Sequence, residues 1–128
     1  MFFLPLTAHQ ITWLFRLALL VNLLVISWLA VTGAPLRVPA VLGDKVNHFA
    51  AFFVLAYCLD RGFPNHRFLL SKLWLLLAYG AAIELVQSRL PHRDFSLLDL
   101  AVDALAIGCY WVLRGRLRRL LLPPSERV

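Results

Sequence analysis

Two aspartates, Asp99 and Asp103, lie four residues apart in the apolar stretch LLDLAVDALA. In a helix, this spacing places both carboxyl groups on one face. A polar side chain that faces hydrocarbon costs several kcal/mol of free energy. The two aspartates are therefore predicted to face inward, toward polar partners or water.

Two other segments carry polar pairs at helical spacing. Asp44 and His48 are four residues apart, and Glu84 and Gln87 are three residues apart. If successive helices alternate in direction across a membrane, these pairs and the two aspartates reach the same level, in the outer leaflet. The spacing predicts one polar pocket that opens to the cell exterior.

Acid–base chemistry is the first use of such a pocket. Its carboxyl groups cannot all be ionised without compensation, so either a proton or a neighbouring cation is required. His48, oriented by Asp44, is a candidate general base, and Glu84 or a protonated aspartate is a candidate general acid. Lys45 and Arg93 are suited to holding a phosphate. The candidate catalytic residues are His48, Asp44, Glu84, Asp99 and Asp103. The candidate ligand-binding residues are Lys45, Gln87, Arg93 and Ser96.

Metal binding is the second use of these side chains. His48 together with Glu84, Asp99 and Asp103 would suit zinc or a harder ion. The ligands lie on separate segments, so no local spacing supports a particular ion. The sequence alone therefore assigns neither a metal nor a cofactor.

The composition indicates which solvent surrounds these residues. The chain has 128 residues, of which 61% are hydrophobic, and its mean hydropathy is +0.75. A soluble domain of this length cannot bury so much apolar surface. The net charge is +6, but no basic face with interleaved aromatic residues lies outside the apolar segments, which excludes nucleic acid as a partner. An all-α integral membrane domain in contact with membrane lipids is predicted.

Four apolar segments predict transmembrane helices at about 11–32, 46–60, 68–87 and 97–113 in a single domain. The first contains about 20 residues without charge, which is enough to span a bilayer. The second is short, so a re-entrant hairpin is its alternative. Asp44 and Ser96 precede apolar segments and are predicted N-caps. For Ser96, this role is favoured over that of a nucleophile.

The distribution of cations predicts the orientation. Nine of the 13 Lys and Arg residues fall on the side of the amino end, the 61–67 turn and the tail, and four fall on the other side. The positive-inside rule then places both termini in the cytoplasm. Residues 114–128 are predicted to form a basic tail at anionic headgroups. No polar cluster is predicted in the cytoplasmic half of the bundle.

Small and aromatic residues predict packing details. Gly80 and Gly108 are expected to permit close helix contacts. Cys58 and Cys109 are expected to be buried thiols rather than a disulfide. The four tryptophans are expected to lie at the membrane interfaces. They are Trp13, Trp28, Trp74 and Trp111.

Three blocks of this chain resemble the VanZ-like family of small polytopic membrane proteins. They are DKVNHF at 44–49, IELVQ at 83–87 and PHRDFSLLDLAVDAL at 91–105. The family commonly has Asn at the last polar position, where this chain has Asp103. The resemblance implies a multi-pass protein of the bacterial cytoplasmic (inner) membrane and cell envelope, with a link to teicoplanin (glycopeptide) resistance. It implies no agreed biochemical activity.

The sequence leaves three functions open. In the first, the pocket binds or modifies a lipid-linked headgroup, such as a cell-wall precursor or a phospholipid. In the second, the polar cluster only holds the helices together, and the protein is a non-enzymatic structural or interaction protein. In the third, the cluster belongs to a proton or metal-ion pathway, although no polar residue continues the route from Asp103 toward the cytoplasm. Whether the protein is an enzyme stays open.

Overall fold

The computed structural model describes residues 4–32, 40–91 and 94–121. Within these residues the chain forms four α-helices and no strand, which confirms the all-α class. The helices are α1 (Ala8–Thr32), α2 (Ala40–Gly62), α3 (Leu73–Gln87) and α4 (Leu97–Leu121). A π-helical turn at Phe68–Lys72 leads directly into α3.

Contacts between the helices establish their directions. Arg16 in the first half of α1 donates a hydrogen bond to the carbonyl of Gly62 at the end of α2, at 2.8 Å. His48 near the start of α2 contacts Asp103 near the start of α4, at 2.9 Å. Glu84 near the end of α3 also lies beside His48, at 3.9 Å. The helices therefore alternate up and down along the chain, as predicted.

Helix α2 lies at the centre of the packing. It contacts both α1 and α4 extensively, while α3 packs mainly on α4. The fully buried core side chains come largely from α2 and α4. They include Phe52, Leu55, Ala56, Ala106, Ile107 and Tyr110. This core fixes α2 and α4 side by side, so polar residues near their first turns are brought together.

Three helix boundaries differ from the sequence predictions. Helix α1 begins at Ala8 rather than residue 11, because Thr7 and Gln10 form a reciprocal capping box. The backbone N–H of Gln10 donates to Thr7 Oγ1 at 3.2 Å, and the backbone N–H of Thr7 donates to Gln10 Oε1 at 2.9 Å. Helix α4 continues to Leu121, so residues 114–121 of the predicted tail are helical. The remaining tail residues, 122–128, lie outside the described residues.

The start of α2 is the third difference. It begins at Ala40 rather than at about residue 46. Asp44 therefore lies inside α2, and its prediction as an N-cap is wrong. A helix can begin directly after a proline, because proline restricts the residue before it more than the residues after it. The result is one continuous helix of 23 residues instead of a re-entrant hairpin.

Large apolar side chains are exposed in this structure, while several charged side chains are buried. Helix α1 buries only Leu19 and Ala30, whereas Leu24 and Trp28 are 62% and 63% exposed. The buried set, by contrast, contains charged and polar side chains. They are Lys72, Glu84, Gln87, Asp99 and Asp103. By length and composition, two helical segments are able to cross a membrane, Ala8–Thr32 and Phe68–Gln87. This is compatible with a membrane protein.

The two cysteines are free thiols, as predicted, with Cys58 buried and Cys109 partly buried. All four tryptophans are exposed on the helix surfaces, with exposed fractions from 40% at Trp111 to 63% at Trp28 and Trp74. Such positions agree with a role in contacting lipid headgroups, which stays a prediction.

The two glycines predicted to allow close helix contact differ in their surroundings. A Cβ atom on Gly80 would lie 3.0 Å from Asp103 Oδ2 and 3.3 Å from the Phe52 ring. At Gly108, a Cβ atom would meet nothing within 4 Å. The prediction is therefore confirmed for Gly80 and wrong for Gly108, which lies on the exposed face of α4. The close approach of α3 to α4 depends on Gly80.

This difference generates a stability prediction. Gly80→Ala should destabilise the protein by about 1–3 kcal/mol, because the methyl group overpacks the contact with Phe52 and Asp103. Gly108→Ala is the matched control, and it should be neutral or stabilising by up to about 1 kcal/mol. Thermal unfolding in detergent, followed by circular dichroism, measures both. Equal unfolding temperatures for the two variants would contradict the packing described here.

Candidate functional site

His48 of α2 is the centre of a polar cluster that joins three helices. Its Nδ1 lies 2.9 Å from Asp103 Oδ1 of α4. Its Nε2 lies 3.9 Å from Glu84 Oε1 of α3 and 3.8 Å from Asp99 Oδ2 of α4. The three carboxylates are almost fully buried, with exposed fractions of 1% for Glu84, 7% for Asp99 and 0% for Asp103. The structure thus brings together four of the five candidate catalytic residues.

The acids are held in place by specific neighbours. Lys45 Nζ donates to Asp99 Oδ1 at 3.1 Å. The backbone amide of Ser96 donates to Glu84 Oε2 at 3.1 Å. Ser96 Oγ in turn accepts a hydrogen bond from the Asp99 amide at 3.1 Å, which confirms Ser96 as the N-cap of α4. One short loop therefore caps α4 and orients an acid on α3.

Packing of the helices explains why these residues meet. His48, Glu84 and Asp103 lie on inward faces because α2, α3 and α4 surround one core. Gly80 lies one turn before Glu84 and lets α3 approach Asp103 closely. The four-residue spacing of Asp99 and Asp103 then places both carboxyl groups beside one imidazole ring.

The remaining candidates have different positions. The side chain of Asp44 and the whole of Arg93 lie outside the described residues. Among the described side chains, Asp103 contacts His48 Nδ1, whereas the predicted contact between Asp44 and His48 lies outside the described residues. Gln87 is buried one turn beyond Glu84. Lys45 keeps 31% of its side chain exposed, so the cluster reaches the molecular surface at this residue.

Compensation of charge constrains this cluster. Among the described side chains, one lysine and one histidine contact the three buried carboxyl groups. Burying an ion without a compensating partner is costly, since the low-dielectric interior replaces its hydration poorly. Buried carboxyl groups around one imidazole are suited to acid–base chemistry or to binding a cation.

A second polar cluster lies at the opposite end of the bundle. Lys72 is 2% exposed, and its Nζ lies 2.6 Å from Asp60 Oδ1. Tyr110 donates to Asp60 Oδ2 at 2.7 Å, and Arg114 Nη1 lies 3.9 Å from the same oxygen. The prediction of no polar cluster in this half is therefore wrong. Lys72 is the last residue of the π-helical turn, and its side chain is directed inward, toward Asp60.

A cavity of about 680 Å³ lies beside the Asp60 pair. Four arginines are among the residues that line it, namely Arg61, Arg67, Arg114 and Arg118. It is separate from the His48 cluster, which lies near the other ends of α2 and α4. This basic end is the one that the cation count predicts to face the cytoplasm.

Comparison with known proteins gives one informative match. No protein-family model matches the chain, and no solved structure matches it significantly. The chain is 35% identical over 96 residues to "Uncharacterized protein C11E3.10" of Schizosaccharomyces pombe. The match covers 73% of this chain and 57% of the relative, so the chain spans little more than half of that protein. Because the relative is fungal, the match does not support the predicted bacterial inner membrane. The VanZ-like resemblance stays a prediction.

Proposed function

We propose that the chain spans a membrane four times, with both termini on the cytoplasmic side. Helices α2 and α4 contain 23 and 25 residues, which is about 34 and 37 Å of helix against a hydrocarbon thickness of about 30 Å. Apolar side chains cover the outside of the bundle, and buried charges lie inside. The arginine-rich end supports the cytoplasmic assignment through the positive-inside rule.

Cysteine labelling tests this topology. In a background with Cys58→Ala and Cys109→Ala, single cysteines are introduced by Asp94→Cys or Asn65→Cys, both at exposed positions. A membrane-impermeant maleimide added to intact cells should label the Asp94→Cys variant. It should label the Asn65→Cys variant only after permeabilisation. Labelling of both from the same side would contradict four spans, and reversed labelling would contradict the orientation.

We further propose that the chain is a VanZ-like membrane protein and that its His48 cluster binds or modifies the headgroup of a lipid-linked molecule. The observation that carries this proposal is the convergence of three buried carboxyl groups on His48, at a place where Lys45 reaches the surface. At the membrane level proposed above, this opening lies among lipid headgroups. The proposed ligand is a cell-wall precursor or a phospholipid. The proposed role is in the bacterial cell envelope, with a link to glycopeptide resistance.

The residues have distinct roles in this proposal. Lys45 binds a phosphate oxygen of the headgroup, exchanging part of its interaction with Asp99 for the new anion. Arg93, which lies outside the described residues, is the proposed second cation. His48 acts as the general base, oriented through Nδ1 by Asp103. Glu84 acts as the general acid. Without turnover, the same groups serve as a binding site.

Near-isosteric variants test the headgroup proposal. Glu84→Gln, Asp99→Asn and His48→Gln should each reduce headgroup binding or turnover at least tenfold per mole of folded protein, because each removes a charge or a proton carrier. Asp60→Asn is the matched control, since it makes the same chemical change at the opposite end. Binding is measured in nanodiscs that contain phosphatidylglycerol or a polyprenyl diphosphate, and turnover by phosphate release. Unchanged values in all three variants would refute the proposal.

A structural role is the alternative function, and one observation favours it. The bonds from Lys45 to Asp99 and from His48 to Asp103 both join α2 to α4. Interhelical hydrogen bonds of this kind contribute about 0.6–2 kcal/mol each in membranes. In this case the same variants lower the unfolding temperature, and function follows the amount of folded protein.

A further inference from the structure

We propose that His48, Glu84 and Asp99 form a binding site for one divalent metal ion. The geometry of the three ligands supports the metal site independently of the proposed function. Only the use of the metal in headgroup chemistry rests on that function. The three ligand atoms are His48 Nε2, one carboxylate oxygen of Glu84 and one of Asp99, and they all lie within 4.8 Å of one another.

The spacing of these atoms suits a metal with little movement. His48 Nε2 lies 3.9 Å from Glu84 Oε1 and 3.8 Å from Asp99 Oδ2. Ligands that bind one ion at about 2.0–2.2 Å lie about 3.0–3.5 Å apart. Each of these two distances must therefore shorten by less than about 1 Å, and the oxygens of Glu84 and Asp99 start within 4.8 Å of each other. Side-chain rotation can supply these movements.

Each ligand is also oriented through its other polar atom. Asp103 Oδ1 contacts His48 Nδ1, the Ser96 amide donates to Glu84 Oε2, and Lys45 donates to Asp99 Oδ1. When Nδ1 carries the ring proton and donates to Asp103, Nε2 presents a lone pair to the two acids. Such outer partners are typical of metal sites, where they fix the histidine tautomer and the direction of each ligand.

Glu84 supplies an independent observation. Its side chain is 1% exposed, and Oε1 accepts no hydrogen bond from any of the described residues. A buried carboxylate oxygen without a partner costs free energy, and native proteins rarely tolerate one. Oε1 lies on the side of His48 Nε2, at 3.9 Å. A cation between these atoms would satisfy this oxygen.

The ligand set indicates the class of metal. One imidazole nitrogen and two carboxylate oxygens suit Zn²⁺ or Mn²⁺, and neither cysteine belongs to this group of ligands. Three protein ligands leave at least one coordination position for water or a phosphate oxygen. With the ion bound, His48 and Glu84 would be ligands instead of base and acid, and the ion would polarise that phosphate. Asp103, included among the candidate ligands in the sequence analysis, becomes a positioning residue.

Metal binding by the purified full-length chain tests this proposal. Tag-free protein in detergent, stripped with chelator and free of added lipid, is titrated with Zn²⁺ or Mn²⁺ by calorimetry, and bound metal is counted by mass spectrometry. The expected result is one ion per chain and a rise in unfolding temperature on binding. Glu84→Gln and Asp99→Asn should each weaken binding at least tenfold. Asp103→Asn should weaken it about 10–100-fold.

Two controls make the result decisive. Asp60→Asn changes an acid outside the site and should leave the metal affinity unchanged. Zinc-edge X-ray absorption on the wild-type protein should show one imidazole among oxygen ligands, which needs no variant to fold. Absence of stoichiometric binding, or equal affinity in Glu84→Gln and wild type, would overturn the metal site, and it would favour a proton on Glu84. Metal binding without headgroup binding would refute the proposed function alone.

Discussion

A buried carboxylate must be compensated, and this constraint organises the described structure. Glu84, Asp99 and Asp103 lie inside the bundle, where water cannot stabilise their charge. His48 is therefore placed between them, and its Nδ1 is 2.9 Å from Asp103. The glycine at position 80 is required by the same arrangement, because a larger residue would press on the Asp103 carboxylate. The positions of the three acids and the close helix packing at Gly80 are thus both linked to the contact between His48 and Asp103.

The two polar clusters resolve this constraint differently. At the Asp60 end, one carboxylate faces Lys72, Arg114 and the hydroxyl of Tyr110, so its charge is fully matched. At the His48 end, three carboxyl groups face one lysine and one histidine among the described residues. A matched ion pair is sufficient to hold helices together. The grouping of three buried carboxyl groups around one imidazole is the physical reason to propose a function for the His48 end.

Much of this arrangement follows from the sequence. The helical spacing of Asp99 and Asp103, and the alternating direction of the segments, predict that acids from two helices meet near His48. Glycine at position 80 and serine at 96 also have the packing and capping roles that their residue types suggest. These features depend on local spacing and on residue chemistry, both of which are visible in the chain itself.

Other features depend on tertiary structure and were not predicted. The direct contact of His48 with Asp103 depends on the rotation of α4 against α2. The inward direction of Lys72 depends on the π-helical turn, for which the apolar pattern contains no signal. The exposed position of Gly108 was not predicted either, because the residue type alone does not show which face of an apolar helix a glycine occupies.

The contact between His48 and Asp103 is the central claim, and a double-mutant cycle measures it most directly. His48→Ala, Asp103→Ala and the double variant are unfolded in detergent, and the coupling energy is calculated from the three changes in stability. The contact predicts a favourable coupling of about 0.6 kcal/mol or more. Changes that add within about 0.3 kcal/mol would show that the two side chains do not interact and would contradict the account.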